Sequence, residues 1–163
     1  TNAFNRRYFL QSVNKEINRA QRYGRPLALI MSDIDHFKQI NDTFGHERGD
    51  EILREIAARV QQRLRQTDVF VRWGGEEFLI LATETTLQQA VILAETLLAA
   101  LHDASFADIG PVTASFGVTN YRFGETLDQW LKRVDNLMYQ AKSEGRNRVC
   151  SVEESLNLSS CSG

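Results

Sequence analysis

Two stretches of the chain carry the residue types that metal-assisted phosphate chemistry needs. Asp33-Ile34-Asp35 sets two carboxylates two residues apart directly after an apolar run, and Gly74-Gly75-Glu76-Glu77-Phe78 sets two adjacent acids behind two glycines. Carboxylate oxygens at a strand end suit a hard divalent cation such as Mg2+ that shares its coordination with substrate phosphates. Taken alone, Asp-x-Asp reads equally well as a turn or a helix cap. The second stretch shifts the balance, because neighbouring glutamates on a tight turn repel one another unless a cation is close. Glycine there also lets a phosphate approach the backbone.

The elements that would position these acids are legible in the hydrophobic periodicity. From Asn5 to Tyr23, Phe9, Val13, Ile17 and Ala20 recur on one helical face, and Gly24-Arg25-Pro26 breaks the helix. Leu27 to Met31 is a short continuous apolar run, read as a buried strand ending at Ser32-Asp33. A second helix spans Glu47 to Arg65, with Ile52, Leu53, Ile56, Val60 and Leu64 on its stripe. Val69-Phe70-Val71 and Phe78 to Leu81 flank the Gly-Gly pair as a hairpin, with both glutamates at its tip. A helix through Leu87 to Leu101, a strand over Val112 to Val118, a helix through Leu127 to Ala141 and a last strand at Val149-Cys150 follow. The order is αβαββαβαβ, and one hairpin among mixed elements predicts an α+β fold with helices packed on a sheet.

Composition narrows the partners. The 163 residues fit one domain, and a formal net charge of −2 offers no global attraction for nucleic acid or anionic lipid. Phosphate binding must then come from local groups, and neither nucleic acid nor membrane is an expected partner of this domain. Cys150 and Cys161 are the only cysteines, so neither a disulfide framework nor a zinc site is expected and a cytoplasmic location is the default. Residues 153–163 are polar enough to be expected as a disordered tail.

The acidic turn resembles the defining motif of the GGDEF family of diguanylate cyclases, in its GGEEF form. Asp33-Ile34-Asp35-His36-Phe37-Lys38-Gln39-Ile40-Asn41-Asp42, then Gly45-His46 and Gly49-Asp50, and finally Ala141-Lys142-Ser143-Glu144-Gly145-Arg146-Asn147 agree with the family pattern in order and spacing. The likeness covers about Asn5 to Val152, so residues 1–152 are taken as one GGDEF domain. Family members usually open with Leu-Thr-Gly-Leu before Asn-Arg-Arg, whereas this chain begins Thr1-Asn2-Ala3-Phe4-Asn5-Arg6-Arg7. The expectation is therefore a fragment lacking an upstream sensor or dimerisation region, in a full-length protein that could be membrane-anchored. The fold the resemblance implies is a mixed, mainly antiparallel sheet surrounded by helices, of the nucleotidyl-cyclase or palm-like kind.

What it implies for the site is specific. Asp33, the backbone carbonyl of Ile34 and Glu76 become the metal ligands for Mg2+, or Mn2+ in its place. Glu76 and Glu77 become the catalytic acids, with the base between them undecided. Phe37, Lys38, Gly74 and Gly75 line the substrate. Asn41 and Asp50 become the guanine-recognition pair, which suits a base whose N1–H and amine both donate, although Asn41 also reads as a turn residue and Asp50 as a first-turn helix acid. Lys142 and Arg146, four apart, become the triphosphate cations. Arg65 and Asp68, of the form Arg-x-x-Asp ahead of the hairpin, match a product-binding inhibitory site, although by themselves they read as a surface ion pair. Thr83 to Leu101 holds no Lys or Arg that could complete that site. The implied reaction condenses two GTP into cyclic di-GMP with release of pyrophosphate, in a homodimer. The alternatives are a catalytically silent domain that binds GTP or cyclic di-GMP, and a polymerase palm, which lacks the long basic stripe nucleic acid requires.

Overall fold

The computed structural model describes residues 5–103, 106, 108–153 and 158–162. The order is α1 (Arg6–Tyr23), β1 (Leu27–Ile34), α2 (Phe37–Phe44), α3 (His46–Gln61), β2 (Val69–Arg72), β3 (Glu77–Thr83), α4 (Leu87–His102), β4 (Ala114–Asn120), α5 (Leu127–Ser143), β5 (Arg148–Glu153) and β6 (Leu158–Ser162). The strands form one sheet in the order β2-β3-β1-β4-β5-β6. All neighbours are antiparallel except β4 and β5. This is the expected α+β architecture, a mainly antiparallel sheet with helices on both faces.

Strand alternation decides which helix each residue meets. Ala28 and Ile30 of β1, with Phe78 and Ile80 of β3, pack against α2, α3 and α4 through Phe37, Ile52, Ile56, Ala90 and Leu97. Leu27, Leu29 and Met31, with Leu79 and Leu81, pack against α1 and α5 through Phe9, Val13, Trp130, Val134 and Met138. With apolar layers on both sides, β1 is buried along its whole length, which explains why it reads as a continuous apolar run. The two later helices begin with reciprocal caps, Thr86 with Gln89 and Thr126 with Gln129.

Several expectations are corrected. The stretch Phe37–Phe44 is a separate helix, too short for periodicity to reveal, with only Phe37 and Ile40 buried. The helix expected to reach Arg65 ends at Gln61, and the strand expected from Val112 starts at Ala114. Part of the expected disordered tail is ordered, since Leu158–Ser162 adds to the sheet edge as β6. That return places Cys161 opposite Cys150, and the two are joined as a disulfide. The expectation of no disulfide framework missed this bond because register across β5 and β6 could not be read from a polar tail. Residues 1–4, 104, 105, 107, 154–157 and 163, which include the start of the opening motif and the rest of the tail, lie outside the described residues. No helix among the described residues is long and apolar enough to cross a membrane.

Gly117 is where α5 comes closest to the sheet. A Cβ at this position would overlap the Val134 carbonyl oxygen and the Met138 nitrogen, both helix backbone. Gly117→Ala is therefore expected to lift α5 from β4 and lower stability by about 1–3 kcal/mol, read from the denaturant midpoint.

Candidate active site

Alternation also aims the first acid. Leu27, Leu29 and Met31 face α5, so Asp33, two further along β1, faces it as well. Lys142, in the last turn of α5, lies with its Nζ 2.8 Å from Asp33 Oδ2. Asp33 is only 4% exposed, and burial pushes its carboxyl up to about 6. The hydrogen bond and charge of Lys142 oppose that rise, while Glu76 and Glu77 add to it.

The hairpin delivers the other two acids by different routes. Glu77 is the first residue of β3, paired in register with Asp33, rather than part of the tip. Burial raises its carboxyl, as do Asp135 and Glu76, against Lys142 and Arg6. Glu76 ends the turn itself, and its carbonyl accepts from the Ile34 N–H at 3.2 Å. The turn is closed by the N–H groups of Trp73 and Gly74, which donate to the Glu77 carbonyl at 2.8 and 3.3 Å. Arg72 clamps it from inside, with Nη2 and Nε donating to the Gly75 carbonyl at 2.6 and 2.9 Å and Nε also to that of Gly74 at 3.2 Å. Neither Arg72 nor Asp135 was found from sequence. The signal for Arg72 was a cation at a strand end just before a turn rich in glycine carbonyls, whereas Asp135 is recognisable only once α5 is docked.

The pair Asp33 and Asp35 divides its labour. Asp35 turns away and accepts from Thr113 Oγ1 and Ser115 Oγ, each at 2.7 Å, and from the Asn147 N–H at 3.0 Å. It is a structural tie between β1, β4 and the turn after α5. Among the described residues, no three of the acids Asp33, Glu76, Glu77 and Asp135 bring ligand oxygens within 4.8 Å of one another. Lys142 takes the place beside Asp33.

The other sequence-selected residues surround this centre unequally. Phe37 is buried and Lys38 exposed at the start of α2. Asn41 abuts Gly49, where a Cβ would strike its Oδ1. That oxygen is buried and has no hydrogen-bond partner among the described residues. Asp50 follows, exposed, on α3. Arg146 is not on a helical face with Lys142, because α5 ends at Ser143 and Arg146 adopts a left-handed conformation with φ 63°. Arg65 and Asp68 come together but are occupied. The Asp68 side chain, 2% exposed, accepts from the N–H groups of Arg65 and Thr83 at 2.9 and 3.2 Å. Arg65 Nη2 donates to the Thr83 carbonyl and to Thr85 Oγ1.

A family model described as "Diguanylate cyclase, GGDEF domain" matches residues 1–148. The chain belongs to the GGDEF diguanylate cyclase family. It is 38% identical over 149 residues to diguanylate cyclase DgcM of Escherichia coli K12, covering 91% of this chain and 36% of that protein. It thus spans about a third of the length of such curated relatives. Among solved structures, diguanylate cyclase SiaD of Pseudomonas aeruginosa, crystallised with its activator SiaC, aligns with TM-score 0.86 and 41% identity over 91% of this chain and 58% of its own. The active GGEEF domain of a Vibrio cholerae diguanylate cyclase aligns with TM-score 0.81 and 35% identity over 86% and 92%.

In this GGDEF domain the raised Asp33 carboxyl has a pH signature. Its folded value is about 6, against about 3.9 for an unfolded aspartate. Between these the folded chain binds more protons than the unfolded one, so stability from this group falls as pH rises. Without divalent cation, acidification from pH 7 to 5 is expected to raise the thermal midpoint of the wild type relative to that of Asp33→Asn, as followed by circular dichroism.

Proposed function

We propose that this domain condenses two GTP molecules into cyclic di-GMP with release of pyrophosphate. The observation that supports this best is the pairing of Asp33 and Glu77 in register, with Glu76 next to Glu77 in the chain and Lys142 as the counter-charge bonded to Asp33. A buried carboxylate opposite a second one is electrostatically unfavourable and is relieved by added positive charge. A hard all-oxygen donor set fits Mg2+ or Mn2+, for which Asp33, the Ile34 carbonyl and Glu76 would be the ligands. Such an ion, when bound, neutralises phosphate charge and makes a 3′-hydroxyl more acidic.

The chain's own residues do the rest. The orphaned Oδ1 of Asn41 accepts from the guanine amine, and Asp50 from N1–H and the amine, which disfavours adenine because it offers no N1–H. Phe37 underlies this pocket. Lys142 passes from Asp33 to the triphosphate, joined there by Arg146 and Lys38. Gly75 stands in open space where a phosphate can approach the backbone, while the Glu77 side chain lies against Gly74. Glu77, whose proton affinity burial raises, is the better placed acceptor for the 3′-hydroxyl proton. One chain holds one GTP, so two chains facing across a two-fold axis make the symmetric product.

Incubation of the purified chain with GTP and Mg2+, followed by mass analysis of products, tests the reading. Cyclic di-GMP is expected from the wild type, and Glu76→Gln is expected to lower the rate by at least about 100-fold with an unchanged thermal midpoint. Near-normal synthesis by that variant removes Glu76 from the centre.

We also infer that Arg65 contributes to product inhibition. Both Asp68 oxygens are engaged by backbone amides, so Arg65 must leave Thr83 and Thr85 to meet a guanine, and the inhibition is weak. Arg65→Ala should require more cyclic di-GMP to flatten the progress curve. An unchanged product dependence makes Arg65 and Asp68 a turn-forming pair only.

A further inference from the structure

We propose that Arg6 is a positioning residue for the acidic hairpin, and that the first turn of α1 sets the placement of Glu76 and Glu77 through Trp73. Arg6 opens α1, next to its cap Asn5, which accepts from the Tyr8 N–H. It grips one residue twice: Nε donates to the Trp73 carbonyl at 2.8 Å, and the guanidinium carbon lies 4.2 Å from the centre of the Trp73 ring. The same ring meets Phe9 edge-on, with centroids 5.5 Å apart, and Phe9 is completely buried under the sheet. Trp73 is thus held at its carbonyl and at its indole by residues of a single helical turn.

What Trp73 does next carries the inference. Its N–H donates to the Glu77 carbonyl, so the residue held by α1 is also the residue that closes the hairpin around both acids. Lysine would keep a positive charge at this position, but only a planar guanidinium can stack on the indole while directing an N–H at the carbonyl. A shift of α1's first turn, which is where any preceding segment would pull, therefore moves the base of the hairpin directly.

This rests on the reading of the acids as a cyclase centre, and the test separates the two. In Arg6→Ala, hydrogen exchange at the amides of Trp73 and Gly74, both donors to Glu77, should accelerate while Trp130, buried and bonded to Thr119, supplies an unchanged fluorescence background. The turnover number for GTP should fall by about tenfold, with KM unchanged and the thermal midpoint retained. Arg6→Lys should not recover the slow exchange, because an ammonium cannot stack on the indole and bond the carbonyl at once. Unchanged exchange at Trp73 and Gly74 in a folded Arg6→Ala protein overturns the proposal, as does a loss of turnover that merely tracks lost folded protein. Absence of cyclic di-GMP synthesis by the wild type would sink the functional reading instead, while the exchange measurement still decides the role of Arg6.

Discussion

A nearly buried carboxylate at the end of the central strand is the constraint around which this domain is arranged. Strand β1 is paired on both edges and covered on both faces, so Asp33 leaves the apolar core only at its last turn. Its charge is met by Lys142 from the opposite layer. That demand fixes where α5 must end, and hence how closely the helix must approach β4. Glycine at position 117 is the local answer to that approach.

The turn of the hairpin faces the complementary problem of keeping two further acids close to the first where the packed core of β2 and β3 ends. It is held by polar contacts to its carbonyls, from Arg72 within the turn and from Arg6 outside it. Carbonyl clamps of this kind hold the main chain while leaving the carboxylates free to accept a cation or a proton. Lys142 offsets the charge of Asp33 while Glu76 and Glu77 oppose it, and that imbalance is what added positive charge would relieve.

Long periodic segments and the acidic turn were readable from sequence because each rests on local pattern. α1, α3, α4 and α5 follow their apolar stripes, and β1 its unbroken run. The short α2 escaped because eight residues with two core contacts carry too little periodicity. β6 and its disulfide escaped because edge pairing of a polar segment depends on where β5 already lies. At the site, residue types identified Asp33, Glu76 and Glu77, but spacing alone could not say that Asp35 would be spent on Thr113, Ser115 and Asn147. Nor could it say that Lys142 and Arg146 would part company where α5 ends. Those outcomes are decided by contacts between segments far apart in the chain.

That distance bears on how the domain is made. The bond from the Asn147 N–H to Asp35 joins residues 112 apart, and β1 waits for β3 on one edge and β4 on the other. During synthesis the most apolar strand is therefore complete long before either neighbour has emerged. Contacts of such high sequence separation form late and slow the search for the native state, and an unpaired apolar strand invites association in the meantime. The opening helix and the two that follow β1 can shelter it provisionally, because they precede β3 and pack on opposite faces. Asp33 and Glu77 meet when β3 pairs with β1, but Lys142 joins them only when the end of α5 arrives, so a nascent chain holds a formed hydrophobic layer before it holds the counter-charge of its acids.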